Sequence, residues 1–312
     1  MQETLVVGET IVDMHPDGPG SLAARETFHR RPGGAPANVA VGLARLGAPP
    51  AFWTRLGEDG LGEFLAGTLA DEGVPDDLVQ RDEDAPTGLA VVSADDDGDR
   101  GFVLYLDGTA TTRLQPGRVG DDRLAATEWL HLGGVELAHE PARSAVFDLL
   151  ERAPPDTTVS LDPNARPQLW TSFDYADTLS RVLPDVDVLV ASVEDLRPAG
   201  YDGDPVGVAA RVADAGPHTA LVTRGADGAV AHATPAAPWG PAETAHEGFP
   251  ADVVDTTGAG DAFTAGVVHA LGNGRPLSDA LRFADAVAAE STTARGAMAA
   301  LPDRAAVERL LE

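Results

Sequence analysis

The segment Asp255-Thr256-Thr257-Gly258-Ala259-Gly260-Asp261-Ala262-Phe263 carries the residue types needed for phosphoryl chemistry. It follows an apolar stretch ending at Val254 and opens a run with apolar residues at Phe263, Val267 and Leu271, the spacing of a helix. Small residues at a helix start let backbone N–H groups approach an anion, and the helix dipole favours negative charge there. Asp261 falls in the first turn. A carboxylate so placed can take a proton from an attacking hydroxyl while the N–H groups hold the transferring phosphoryl group. The segment alone reads equally well as a tight turn followed by an Asp that complements the helix dipole.

A second segment, Gly33-Gly34-Ala35-Pro36-Ala37-Asn38, places paired glycines before another helical run. Glycines there allow a ligand close to the backbone, and Asn38 offers both donor and acceptor to hydroxyls. Asp13 closes the first apolar run, at the strand end where α/β sheets bind ligands. A carboxylate in that place can accept two sugar hydroxyl hydrogens. Taken alone, a Gly-rich connector and a loop Asp are the plainer reading.

These residues need a scaffold, and the pattern supplies one. Leu5–Val12, Ala51–Arg55, Trp129–Leu132, Thr157–Leu161, Val186–Val190, Ala220–Thr223 and Ala229–His232 are short apolar runs that predict buried strands. Helical spacing covers Pro36–Leu46, Leu61–Asp71, Pro141–Arg152, Ala259–Leu271, Pro276–Ala294 and Asp303–Leu311. Strands alternating with helices predict an α/β fold, a mainly parallel Rossmann-like sheet flanked by helices. Two polar stretches interrupt the rhythm, near residues 16–32 and 86–106. The first holds an exposed strand over Ser21–Arg31. The second holds two strands, Thr87–Ala94 and Arg100–Leu106, joined by an acidic turn at Asp95–Asp99. They predict a small β-sheet lid on a single domain spanning residues 1–312.

Composition narrows the chemistry. The 22 basic residues are all Arg, against 50 Asp and Glu, for a net charge of −28. So acidic a chain argues against nucleic acid and anionic membranes as partners. Dispersed acid without Lys suggests a protein adapted to high salt, where screening removes self-repulsion. Without Lys there is no phosphate-binding P-loop, no protein-kinase strand Lys and no Schiff base. Without Cys there is no thiol nucleophile and no Cys-ligated zinc. The eight His do not cluster at ligand spacing, and His131 reads as a structural residue. Gly8 stands alone after the first strand, and Gly57, Gly60 and Gly62 have the wrong spacing for a dinucleotide fingerprint. No basic leader or long apolar run precedes the first strand, which predicts a cytoplasmic location.

With both glycine-rich segments in place, the sequence resembles the ribokinase-like, or PfkB, carbohydrate kinases along nearly its whole length. Gly33 through Gly47 and Asp255 through Gly266 match the two signatures of that family. Arg55 through Gly60, Asp162 through Arg166, Thr223-Arg224-Gly225 with Gly228, and Arg295 through Ala297 are further matches. The resemblance implies a ribokinase-like fold whose lid closes over the sugar. It implies Asp261 as catalytic base, with Gly258, Ala259 and Gly260 as the anion hole. It implies Asp13, Gly33, Gly34, Asn38 and Arg166 around the sugar, and Asn164, Asp195, Thr223, Gly225, Gly228 and Asp285 around ATP. Mg²⁺ would bridge the ATP phosphates, Asp255 and Thr257 would serve a K⁺ site, and lid strands would pair in a homodimer.

The chain departs from the family at three places. Ser192-Val193-Glu194-Asp195 stands where relatives carry Asn-x-x-Glu, Asp285 replaces a frequent Asn, and Arg166 and Arg224 are the candidate phosphate cations. Among acceptors the likeness is greatest to fructokinases. However, Tyr105 is followed by Leu106 where those enzymes carry Arg, and Thr111 stands near their Asp. 2-Keto-3-deoxygluconate, ribose, ribose 1-phosphate and nucleosides are the alternative acceptors. A non-catalytic sugar-binding regulatory protein is the alternative class.

Overall fold

The computed structural model describes residues 3–18, 20–94 and 100–312. The acidic turn expected at Asp95–Asp99 lies outside the described residues. The strands are β1 (Thr4–Val7), β2 (Ile11–Pro16), β3 (Phe28–Gly33), β4 (Ala51–Gly57), β5 (Val79–Asp82), β6 (Leu89–Ala94), β7 (Arg100–Tyr105), β8 (Trp129–Gly133), β9 (Thr158–Asp162), β10 (Val188–Ser192), β11 (Thr219–Thr223), β12 (Ala229–Ala233) and β13 (Ala242–His246). The helices are α1 (Ala35–Arg45), α2 (Gly60–Asp71), α3 (Asp121–Ala126), α4 (Ala142–Arg152), α5 (Tyr175–Val182), α6 (Val193–Leu196), α7 (Pro205–Ala213), α8 (Ala259–Gly272), α9 (Leu277–Ser291) and α10 (Arg304–Leu311).

A nine-stranded sheet runs in the order β13-β12-β11-β10-β9-β8-β1-β4-β5. Its strands from β5 to β11 pair in parallel, and β12 is antiparallel to both neighbours. Alternate residues along each strand feed opposite faces, as the pleat requires. Val6, Val188 and Val190 join one core with residues of α1, α8 and α9. Leu5, Val7, Leu189 and Ala191 join the other, with residues of α4, α5 and α7. Both faces are therefore covered, which is why these strands are continuous apolar runs in the sequence.

The smaller sheet has the order β3-β2-β6-β7. β2 pairs antiparallel with β3 and parallel with β6, and β6 pairs antiparallel with β7. Its inner residues Ile11 and Ala90, with Leu106 just after β7, pack with Val135, Ala138 and Leu169 of the main body.

The structure differs from the sequence-based expectations in three places. The apolar run Leu5–Val12 is two strands. The chain leaves the central sheet after Val7, turns at Gly8, and enters the small sheet at Ile11. Asp13 therefore stands on β2 in the small sheet, not at the end of a central strand. Periodicity could not show the break, because both halves are apolar and buried. The strand expected over Ser21–Arg31 is shifted. Leu22–Ala24 forms a short 3₁₀ turn capped by Ser21, and β3 runs on to Gly33, where it meets Ile11. The edge strands β5 and β13 are too polar to stand out, and every residue of β13 is at least partly exposed.

Candidate active site

The parallel strands end at one edge of the large sheet, the side on which α/β sheets bind ligands. β9 ends at Asp162, β10 at Ser192 and β11 at Thr223, and all three line one cavity of about 430 Å³. The small sheet supplies the facing wall through Ile11, Asp13, Ala90, Phe102 and Leu104. A neighbouring cavity of about 650 Å³ lies beside α8 and α9. Thr223, Thr256 and Gly260 line both cavities. The two chambers therefore meet at the start of α8, next to Asp261.

α8 begins at Ala259 with Gly258 as its N-cap, in the left-handed region at φ 80°. The first N–H groups of an α-helix have no carbonyl of their own to reach, and no side chain caps this end. Ala259 is the exception, since its N–H donates to the Thr256 carbonyl at 3.2 Å. Of the expected anion hole of Gly258, Ala259 and Gly260, the Ala259 N–H thus closes the turn. The N–H groups of Gly260 and Asp261 follow it and have no carbonyl within the helix to reach. The Asp255 carboxylate shapes this turn by accepting from the Thr257 N–H and hydroxyl and from the Gly296 N–H.

Asp261 is buried, and the Asn38 side-chain amide donates to its Oδ2 at 2.6 Å. Burial pushes its pKa up to about 6, with Asp195 adding to the rise while Asn38 and Arg166 oppose it. Asp13, on β2 across the chamber, is pushed up to about 7 by burial and by the Asp261 charge. Gly33 makes Asp13's position possible, because a Cβ there would overlap the Asp13 carboxylate. Gly33 itself lines neither chamber, while Gly34 and Asn38 line the first. A base with this pKa is ionised at neutral pH and lost by protonation below it. The turnover rate is expected to fall about tenfold per pH unit below pH 6, read from kcat at saturating substrates. A rate that stays flat down to pH 5 would remove Asp261 from the base role.

Asn164, Arg166, Asp195, Thr223 and Thr257 also line the first chamber. Asn164 has a positive φ of 38°, and its N–H donates to Asp162. Asp195 also serves the local structure. It forms a capping box with Ser192 and accepts the Ala165 N–H. Arg166 Nη1 lies 3.9 Å from Asp195 and donates to the Ala165 carbonyl. Gly225, Gly228 and Asp285 line the second chamber with Ala259. Asp285 sits 2.9 Å from His246 Nδ1, on the wall between β13 and α9. Arg224 lines neither chamber, since its guanidinium turns to the His246 carbonyl. Asp255 is buried behind the α8 turn and lines neither chamber.

Sequence reasoning missed Glu9 and Glu136 and did not single out the Asp162 carboxylate. Glu9 lies in the crossing between sheets and lines the first chamber. Its signal was a Glu inside an otherwise apolar stretch, directly after Gly8.

The family model for pfkB family carbohydrate kinases matches residues 1–304. A fructokinase of Klebsiella pneumoniae is 39% identical over 317 residues, covering 98% of each chain. The structure of fructokinase with bound ATP from Xylella fastidiosa superposes with a TM-score of 0.88 at 29% identity, covering 100% of this chain and 98% of that one. A double mutant of fructokinase from Vibrio cholerae O395, in a fructose-, ADP- and potassium-bound form, superposes with a TM-score of 0.83 at 30% identity. It covers 100% of this chain and 99% of the other.

Proposed function

We propose that this chain, which belongs to the pfkB family of carbohydrate kinases, transfers the γ-phosphoryl group of ATP to a hydroxyl of fructose. That the chain is an ATP-dependent sugar kinase follows from the family. The observation that carries the assignment of roles is the meeting of the two chambers at Gly260, beside the buried Asp261. The first chamber takes the sugar, held by Asp13, Gly34, Asn38 and Arg166. The second takes the nucleotide along Thr223, Gly225 and Gly228, with the phosphates directed at the start of α8.

Asp261 accepts the proton of the attacking hydroxyl. The hydroxyl oxygen bonds to the γ-phosphorus, the bond from that phosphorus to the β–γ bridging oxygen breaks, and ADP carries away the electron pair. The N–H groups of Gly260 and Asp261 hold the charge on the transferring group, fixed in advance by the helix. The Asn38 amide orients the Asp261 carboxylate.

Among the described residues no group of three or more His, Asp or Glu is arranged to hold a metal ion. That fits a Mg²⁺ brought in on the ATP phosphates, which needs few protein groups. Asp195 and Asn164 would hold it through water, and it would neutralise charge on the phosphates. The buried Asp255 with Thr257 is our candidate for the K⁺ site, and the potassium-bound relative supports that choice. The small sheet is the lid of one kinase unit spanning residues 1–312. Val103 and Tyr105 are exposed at alternate positions on its edge strand β7, which supports pairing of lids in a homodimer. No helix among the described residues is long and apolar enough to cross a membrane. The location we propose is cytoplasmic, in a cell rich in salt, given the net charge of −28.

ADP release with Mg-ATP at high KCl tests the reading. Turnover is expected with fructose ahead of 2-keto-3-deoxygluconate, ribose, ribose 1-phosphate and nucleosides. It should drop when KCl is diluted or replaced by NaCl. Faster turnover of another acceptor would overturn fructose. Equal rates in NaCl would remove the potassium assignment, and full activity at low salt would remove the salt adaptation.

A further inference from the structure

Two carboxylates that the mechanism leaves aside meet at the edge of the sugar chamber, which Glu9 lines. Glu9 lies on the crossing from β1 to β2, and Glu136 lies just after β8. Both are buried, Glu9 at 4% exposure and Glu136 at 2%. Glu9 Oε1 accepts the Ala35 N–H at 2.9 Å, at the first residue of α1. The other oxygen of each side chain, Oε2, is buried with no donor. Both atoms face one point beside Gly133, where a built Cβ would stand 3.0 Å from Glu136 Oε2 and 3.5 Å from Glu9 Oε2, and the two side chains are close enough to share a hydrogen bond.

Two ionised carboxylates cannot share a dry site. The usual outcome is that one keeps its proton and donates it to the other. A single proton between the two Oε2 atoms also gives both orphaned oxygens a partner, which neither otherwise has. We propose that Glu9 and Glu136 share one proton through their Oε2 atoms, and that this shared proton fixes the start of α1 and with it Gly34 and Asn38 in the sugar chamber. Glu9 grips Ala35, the residue after Gly34, and the Asn38 N–H donates to the Gly34 carbonyl one turn on. Glu136 is then a positioning residue that acts on the sugar through Glu9. The inference rests on the sugar-kinase reading of the chamber.

The surroundings agree. Burial pushes Glu9 up to about 7, and burial together with the Glu9 charge holds Glu136 well above the usual carboxylate range. The other charged groups that act on Glu9 are Asp261, which raises it, and Arg166, which lowers it. Asp162 and His131 line the small space beside it, and burial keeps His131 largely neutral above its depressed pKa of about 4. The sign of the linkage follows. A carboxyl raised in the folded state contributes stability that is complete below its unfolded value near 4.5 and lost as pH rises through its folded value. Loss of the shared proton above neutrality should therefore loosen the α1 start and weaken sugar binding.

Glu136→Gln tests this directly, because its amide can donate to Glu9 and cannot ionise. In the wild type the KM for sugar is expected to rise several-fold from pH 7 to 9 with the KM for ATP unchanged. In Glu136→Gln the sugar KM stays within about twofold of wild type at pH 7 and flat to pH 9. Glu136→Ala raises the sugar KM about tenfold at pH 7. Should the Ala variant fail to fold, the Gln comparison decides alone. Parallel KM profiles for wild type and Glu136→Gln would overturn the proposal. If the wild type phosphorylates no sugar tried, the function is wrong but the pair is still testable without substrate. Thermal unfolding should then show wild type losing midpoint relative to Glu136→Gln between pH 6 and 9, and identical slopes would sink the pair.

Discussion

Asp261→Asn is expected to lower turnover by at least about a hundredfold, the usual scale for removing a general base. The reason lies in what Asn keeps and what it loses. It preserves the size of the side chain at a buried position at the start of α8. The N–H groups of Gly260 and residue 261 are retained at the start of α8, so ATP should bind as before. What disappears is a carboxylate oxygen that can take a proton, Asp261 Oδ2, which accepts from the Asn38 side-chain amide. Its loss should also abolish the acid limb near pH 6, because the group that titrates there is gone. Calorimetric ATP binding beside steady-state kcat checks both halves. A variant that turns over within tenfold of wild type would place the base elsewhere, and Asp13 would be the next candidate.

The second large effect is expected from Gly258→Ala. Gly258 caps α8 at φ 80°, a conformation costly for any residue with a Cβ. A Cβ there would stand 2.7 Å from the Ala297 Cβ and 2.9 Å from the Ala297 Cα. Backbone cannot yield as a flexible side chain can, so the α8 turn must shift away from Ala297. The strain is of order 1–3 kcal/mol, enough to lower the melting temperature by a few degrees. Catalysis should suffer more than stability. A shift of about 1 Å in the groups that hold the phosphoryl can cost about a hundredfold in rate. The variant should therefore be folded by circular dichroism, slightly less heat-stable, and roughly a hundredfold slower. Turnover within threefold of wild type would mean that the turn's geometry is not what holds the transferring group.

Much of this site is legible in the sequence because its parts are local. The run from Asp255 to Asp261 contains the turn, the helix start and the proposed base in seven consecutive residues. Gly33 to Asn38 is similarly self-contained, and the absence of Lys removes rival phosphate-binding designs outright. What the sequence hides is produced by distance along the chain. Glu9 and Glu136 come together because β1 and β8 pair in parallel, and no local spacing links them. Asp13 changes sheet because the chain turns at Gly8 within a run that is apolar on both sides. Which N–H groups at the start of α8 are left without a carbonyl depends on a single bond, from the Ala259 N–H to the Thr256 carbonyl. Composition carries no information about such a bond.

Asp13 belongs to the small sheet, and Asp261 to a helix packed on the large one. In the proposed roles, a sugar that touches both is a strut between two parts of the molecule. A water that reaches Asp261 brings no further hydroxyls to engage the small sheet, and so would not be held in line with the phosphorus. Wasteful hydrolysis of ATP would thereby be disfavoured by how few contacts the nucleophile makes rather than by its chemistry.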